Sequence, residues 1–289
     1  LRPEPKWDEK SLQGREFVQV KYLGEEQLLM AFQTAPRFHQ DYPALRLIDM
    51  ILDNSVAGLI NLNLVDRQAV RAAGCFPQSY NDYGAHYLYG IPKDGQSMEE
   101  VENLLLNQVE LVKKGEFADW ILPAVLNDFK KSQKENLESN PKRVELLRDS
   151  FLSFVDWEVM DQEIQDLEKV TKEDVVRVAN KYFGEDYVVG FRVDQQHDLP
   201  SIEKPKIDPL EIDPDKQSVF MKEVEEIPFN PFEPDFIELG KDFKTKEIAE
   251  GVTLVHVSNP LNDLFGIEVR MGIGSDHDPM LPYLKRMLG

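Results

Sequence analysis

Five histidines and a single cysteine are the side chains that could hold a soft metal or attack a bond in this sequence, set among 53 acidic residues. Hydrolysis at zinc needs about three protein ligands and an open coordination position, most recognisably two histidines one helical turn apart beside a carboxylate. His39, His86, His197, His256 and His277 contain no pair at that spacing. Histidines distant in sequence could still converge through the fold, but the spacing itself nominates no catalytic, cofactor-binding or metal-ligating residue. His86 stands among Tyr83, Tyr87 and Tyr89 on a presumed strand and is expected to be a hydrogen-bonded structural histidine. Cys75 has no second thiol to pair with, which excludes an internal disulfide and a cysteine-cluster zinc site, and it reads as a half-buried strand cysteine.

Other local patterns fall short of a site. Asp276-His277-Asp278 lacks the downstream oxygen ligands of a calcium loop and is expected to be a polar turn. Gly272-Ile273-Gly274 follows a presumed strand, but His277 holds the third glycine position and Asp278-Pro279 follows, so a dinucleotide loop loses its close packing and its welcome for an anion. The chain contains neither a G-x-x-x-x-G-K phosphate loop nor a G-x-S-x-G elbow.

The elements that would position any such residues follow from periodicity. Alternating apolar residues predict strands over Glu16 to Tyr22 and Gln27 to Ala35, then over Arg71 to Tyr80 and Ala85 to Ile91, joined across Asn81-Asp82-Tyr83-Gly84. Asp41-Tyr42-Pro43 is expected to cap and start a helix carrying Leu45, Ile48, Ile51 and Leu52, with a short helix over Ala57 to Leu64 after it. Ser97 and Glu100 form a capping-box pattern ahead of Val101, Leu104, Leu105, Val109 and Val112, and Gly115 stops that helix. The next is placed from near Asp119, which leaves Pro123 in the first turn, where a proline is tolerated. Further helices are expected over Pro141 to Phe154, about Glu158 to Leu167, and Thr171 to Tyr182, before a strand from Tyr187 to Val193. This order favours an α+β lobe of two layers, helices packed on one face of a mostly antiparallel sheet, over a doubly wound nucleotide fold.

Composition bounds the rest. The 289 residues, 42% of them hydrophobic, suffice for about two domains. The formal charge of -20 repels phosphate backbones and argues against nucleic acid, while leaving both steering of basic peptides and plain solubility open. No run approaches the roughly 18 to 20 apolar residues of a membrane span, so a soluble chain is expected, cytoplasmic or periplasmic. Seven of the 18 prolines fall between Pro200 and Pro234, among charged residues, which predicts an extended strap docked by Val219, Phe220, Ile227, Phe229 and Phe232. Beyond Phe236, Gly251 to Val257 and Phe265 to Met271 read as a strand pair, and the sequence stops at Gly289 inside an apparent helix. Domains are therefore placed at 1–194, 195–235 and 236–289. The strands of the last segment are expected to pair with the first lobe or with a neighbouring molecule.

Two sets of residues carry a family resemblance. Gly251-Val252-Thr253-Leu254-Val255, Val269-Arg270-Met271-Gly272-Ile273-Gly274-Ser275, Asp278-Pro279 and Leu284-Lys285-Arg286-Met287 resemble the opening of a pitrilysin/insulinase-type zinc metallopeptidase lobe. That family carries an inverted H-x-x-E-H motif on the following helix, where this sequence has Pro282-Tyr283-Leu284-Lys285-Arg286. Proline and arginine cannot ligate zinc, and a cationic lysine in place of the base would repel the ion, since even two unit charges 4 Å apart cost about 4 kcal/mol at an effective dielectric of 20. The second set spans about Gly14 to Val193: Leu52-Asp53-Asn54-Ser55, Gly58-Leu59-Ile60, Asn63-Leu64-Val65, Asp82-Tyr83-Gly84, Gly90-Ile91-Pro92, Ser97-Met98-Glu99-Glu100 and Thr171-Lys172-Glu173-Asp174-Val175. It is similar to the inactive partner lobe of that family.

The resemblance implies a non-catalytic middle fragment: the inactive second lobe, the linker between halves and the start of a degenerate third lobe. It implies zinc bound by an upstream catalytic lobe of the same polypeptide and none in this segment, with unfolded peptides as substrates. A chamber-wall and hinge role within a zinc metalloendopeptidase follows. The alternative is a scaffold or assembly subunit from a non-peptidase branch, as in the family's core subunits of a respiratory complex.

Overall fold

The computed structural model describes residues 9–54, 56–196, 203–210, 213, 216–228, 231 and 233–281. His197 and the Pro282 to Arg286 window lie outside them. The chain divides into two compact units, Leu1–Ile202 and Glu203–Gly289.

The first unit is built on five strands: β1 (Arg15–Tyr22), β2 (Gln27–Thr34), β3 (Ala72–Ser79), β4 (Gly84–Ile91) and β5 (Tyr187–Asp194). They lie in the order β1-β5-β2-β4-β3, with β1 parallel to β5 and every other neighbour antiparallel. Strand period explains which face is covered. On β2, Leu28, Met30 and Phe32 are fully buried, and Met30 sits in register between Leu88 of β4 and Val189 of β5, both also fully buried. Val18, Leu29 and Phe76, one step out of phase, are exposed on the opposite face. The sheet is thus half-buried by design of its alternation, as the sequence pattern requires.

The helices are α1 (Tyr42–Leu52), α2 (Met98–Lys113), α3 (Ile121–Glu138), α4 (Asn140–Leu152), α5 (Trp157–Asp161), α6 (Glu163–Glu168) and α7 (Lys172–Tyr182). Of these, α1, α2 and α7 contact one another and the sheet, while α3 and α6 pack on α1 from outside. The Ser97 hydroxyl accepts the Glu100 N–H at 3.1 Å and starts α2, whose Val101, Leu105, Val109 and Val112 are buried. Each such side chain contributes roughly 1.5–3 kcal/mol when fully buried. The helix lies so close to β4 that a Cβ on Gly90 would stand 2.4 Å from Val101 Cγ1. Thr171 and Asp174 complete a reciprocal capping box at the start of α7.

Several expectations need correction. Asp41 precedes α1 but its side chain makes no cap bond, because its carboxylate is drawn to cations of α7. The helix expected from Ala57 begins at Leu59 and becomes a π-helical turn over Asn61–Val65. Asn54 Oδ1 accepts the N–H groups of Val56, Ala57 and Gly58 at 3.1, 2.7 and 3.0 Å, which holds those residues outside the helix. The segment around Glu158 to Leu167 forms two short helices, α5 and α6, with Gln162 between them.

In the second unit a short helix, α8 (Val219–Glu225), replaces part of the extended strap, its first turn capped by Ser218. Strands β6 (Lys244–Ala249) and β7 (Val252–His256) form an antiparallel hairpin across Glu250 and Gly251. Gly251, the second turn residue, has φ +73°, a left-handed geometry that glycine adopts freely. The expected pairing of Gly251 to Val257 with Phe265 to Met271 is therefore not formed. A strand next door across a tight turn closes at less entropic cost than one beyond an eight-residue connection, and residues 265–271 stay without regular structure. The two strands pair with each other.

Candidate functional site

Three polar groups interrupt the otherwise apolar helix layer of the first unit. One joins α1 to the β3–β4 hairpin. Strand register puts Cys75 opposite Leu88 and His86 opposite Pro77, so both side chains point to the helix-covered face. Asp49, on the α1 turn above them, brings its Oδ1 to 3.3 Å from Cys75 Sγ and 3.3 Å from His86 Nε2. One ligand atom from each residue lies within 4.8 Å of both others. Just past the end of α1, Asp53 Oδ2 accepts the Cys75 N–H at 3.2 Å.

His86 is 1% exposed, and its ring meets Phe183 edge-on at 5.1 Å. Its Nε2 lies 3.3 Å from Asp49 Oδ1 but has no hydrogen-bond partner. The expectation of a hydrogen-bonded structural histidine is corrected at this atom. Cys75 is the half-buried strand cysteine expected.

Burial governs the protonation of all three. It pushes the His86 imidazolium down to about 3, so the ring is neutral. It raises Asp49 to about 6, against the hydrogen bond donated by Cys75 and with the help of the Asp53 charge. It raises the Cys75 thiol well above its ordinary value, and Asp49 adds to the effect. A Cys, His, Asp set suggests nucleophilic catalysis, but the attacking species there is a thiolate beside a cationic imidazole. Burial shifts both groups the other way here, toward a protonated thiol and a neutral imidazole, which disfavours a cysteine nucleophile.

The second group anchors α7 to the start of α1. Asp41 is 1% exposed and receives Lys181 Nζ at 2.6 Å, Arg177 Nη1 at 2.9 Å and Tyr182 Oη at 3.0 Å. Burial acts to raise its carboxyl, but the three donors outweigh it and hold it at about 2. The third group ties α2 to the sheet. Glu102 accepts Arg15 Nε and Nη2, both at 2.7 Å, and Tyr187 Oη at 2.8 Å. Burial opposes ionisation of Glu102, and the Arg15 and Tyr187 donors more than compensate and lower its carboxyl. Every polar atom in these two groups that carries charge faces an opposite charge or a donor, which is what an anchoring network needs and a reactive centre does not.

The other histidines are dispersed. His39 Nδ1 accepts the Asp41 N–H at 3.0 Å, and His256 is exposed on β7. His277 Nδ1 accepts the Gly274 N–H at 3.1 Å within the expected polar turn. Among the described residues the only group of three or more potential ligands that converge is Asp49, Cys75 and His86. Sequence spacing missed it because its members are 26 and 37 positions from Asp49 and meet only through strand register and helix docking. The available signal was His86 in phase with Leu88 on the inward side of β4.

Comparison with known proteins bears on the first unit. Residues 3–128 match the family model described as the peptidase M16 inactive domain. A protease from Helicobacter pylori shares the fold with a TM-score of 0.62 at 21% identity, over 66% of this chain and 47% of that one. A peptidase M16 inactive domain from Pseudomonas fluorescens gives 0.57 at 14% identity, over 67% of this chain and 47% of that one. The inactive peptidase domain of a provisionally named zinc protease from Bordetella parapertussis gives 0.52 at 18% identity, over 66% of this chain and 99% of that one. This chain thus spans about half the length of the first of these structures. No curated protein matches the chain. No helix among the described residues is long and apolar enough to cross a membrane.

Proposed function

We propose that the first unit, whose residues 3–128 match the model of the peptidase M16 inactive domain, is an inactive domain of that kind, and that the chain is a non-catalytic chamber-wall and hinge segment of a zinc metalloendopeptidase that degrades unfolded peptides. The metal and the general base are supplied by a catalytic lobe of the same polypeptide, outside these 289 residues. Residues 1–194 are the partner lobe, 195–235 the linker between halves and 236–289 the opening of a degenerate zinc lobe. The observation that carries this reading is a helix-covered five-stranded lobe matching an inactive-type domain, in a sequence with no H-x-x-E-H.

The test is peptide hydrolysis. The 289-residue chain alone is expected to leave an unstructured peptide intact, while the protein that also contains the catalytic lobe cleaves it and loses that activity to a chelator. Metal-dependent cleavage by the chain alone overturns the reading. A second reading, a scaffold or assembly subunit from a non-peptidase branch, is favoured by Pro282, Lys285 and Arg286 standing where ligands and base belong. It predicts no chelator-sensitive cleavage by the longer protein either.

A further inference from the structure

We propose that Asp49, Cys75 and His86 form a buried site for one divalent ion of the zinc type, which clamps α1 to the β3–β4 hairpin and stabilises the fold without hydrolysing anything.

The donor set is chemically matched to such an ion: a thiolate sulfur, an imidazole nitrogen and a carboxylate oxygen are the three ligand types zinc takes from proteins. Geometry is the second argument. With Zn–S near ~2.3 Å and Zn–N and Zn–O near ~2.0 Å, a tetrahedral site has ligand-to-ligand edges of roughly 3.3 to 3.5 Å. The Asp49 Oδ1 to Cys75 Sγ and Asp49 Oδ1 to His86 Nε2 edges are both 3.3 Å. Two edges of one face of that tetrahedron are thus in place, and the third, between Cys75 and His86, is bounded at 4.8 Å, within reach of a side-chain rotation.

An independent observation points to a missing ligand. His86 Nε2 is an acceptor or donor sealed from water with no hydrogen-bond partner, 3.3 Å from Asp49 Oδ1. Buried polar atoms are nearly always satisfied, and an ion on this nitrogen would satisfy it. Charge also balances. Binding takes the proton from the Cys75 thiol to solvent, and the two positive charges of the ion then meet one thiolate and one carboxylate, with neutral His86 adding none, so no net charge is buried. Supporting contacts are in place: Asp53 holds the Cys75 backbone through its N–H, and Phe183 packs against the imidazole edge. The Asp49 side chain is 16% exposed, which leaves a way in for the ion and for a water as fourth ligand. The role is structural because the three ligands come from three elements, α1, β3 and β4, that the ion would lock together.

Cobalt(II) reports the site directly. Metal-free 289-residue chain titrated with Co²⁺ is expected to show tetrahedral visible bands and a near-ultraviolet thiolate-to-cobalt charge-transfer band, both saturating at about one equivalent and bleached by one equivalent of Zn²⁺. Zn²⁺ alone should raise the thermal midpoint of the same chain. Cys75→Ser is expected to lose the charge-transfer band, and His86→Gln to weaken Zn²⁺ binding by at least ~10-fold, a ligand being worth no less than the outer-shell groups around it. The wild-type cobalt spectrum needs no variant to fold, so the proposal stands or falls on it. Octahedral cobalt without the charge-transfer band, as exposed histidines would give, overturns it. So does a spectrum unchanged in Cys75→Ser, or a thermal midpoint indifferent to Zn²⁺.

Discussion

The two units of this chain use the same alphabet and reach opposite extremes of burial. In the first, alternation on β2, β4 and β5 meets a helix layer, and Phe32, Leu88 and Val189 lose all their exposure. In the second, Val252, Leu254 and Val255 of β7 remain about half exposed, and no described residue of that unit is buried. Strand pattern alone therefore makes a hairpin; a second layer makes a core. A lone two-stranded ribbon is marginal in water, whereas five strands under helices can hold the side-chain anchors described above.

The sharpest way to break this comparison is to cut the same kind of side chain from each unit. Phe32→Ala removes a fully buried ring that packs on Phe183 and Tyr187, with centroids at 5.2 and 5.1 Å. Urea unfolding of the first unit should register a loss of about 3–5 kcal/mol. Val255→Ala removes a side chain that is 56% exposed and should stay within about 0.5 kcal/mol. Comparable losses at the two positions would mean that the second unit has a core after all.

How much of this was legible beforehand depends on sequence distance. Ser97 and Thr171 announced their helices because a cap and its target are three residues apart, and both bonds are present. The inward phase of Leu28, Met30 and Phe32 was equally local. Strand order was not legible, because the parallel pairing of β1 with β5 joins residues 172 positions apart, as Arg15 with Tyr187. Asp41 had the form of a cap, and only the docking of α7 shows why its carboxylate is engaged elsewhere. Residues 265–271 alternate as well as any strand, yet alternation does not reveal whether a nearer partner has already been taken. The Asp49, Cys75 and His86 cluster escaped for the same reason as strand order.

The Asp41 anchor gives an intermediate effect with a sign. Its folded carboxyl sits at about 2, below its ordinary 3.8. The stabilisation is complete above the ordinary value and is lost as pH falls through the folded one. Because Lys181 and Arg177 are about half exposed, solvent discounts the gain to about 1–2 kcal/mol. Asp41→Asn should therefore lower stability at pH 7 by about that amount, and the gap from wild type should close between pH 4 and pH 2 in acid unfolding. A gap that persists at pH 2 would assign the loss to packing instead of charge.

The smallest effect compares one cap chemistry in the two settings. Ser97 Oγ and Ser218 Oγ each accept the N–H three residues on, at 3.1 Å in both cases. Locally the two bonds are equivalent, so any difference in consequence comes from what the helix is packed against. Ser97→Ala frays a helix whose Met98, Val101 and Leu105 lie in the core, and the loss of about 1 kcal/mol is transmitted to global unfolding of the first unit. Ser218→Ala frays α8, which buries no residue, so the same bond energy is spent locally and the unfolding midpoint of the first unit does not move. Amide exchange separates the two outcomes: protection at Glu100 should fall with global stability in the first variant, while Met221 exchanges rapidly in wild type and variant alike. A shift in the first unit's midpoint on Ser218→Ala would show that α8 is coupled to that core.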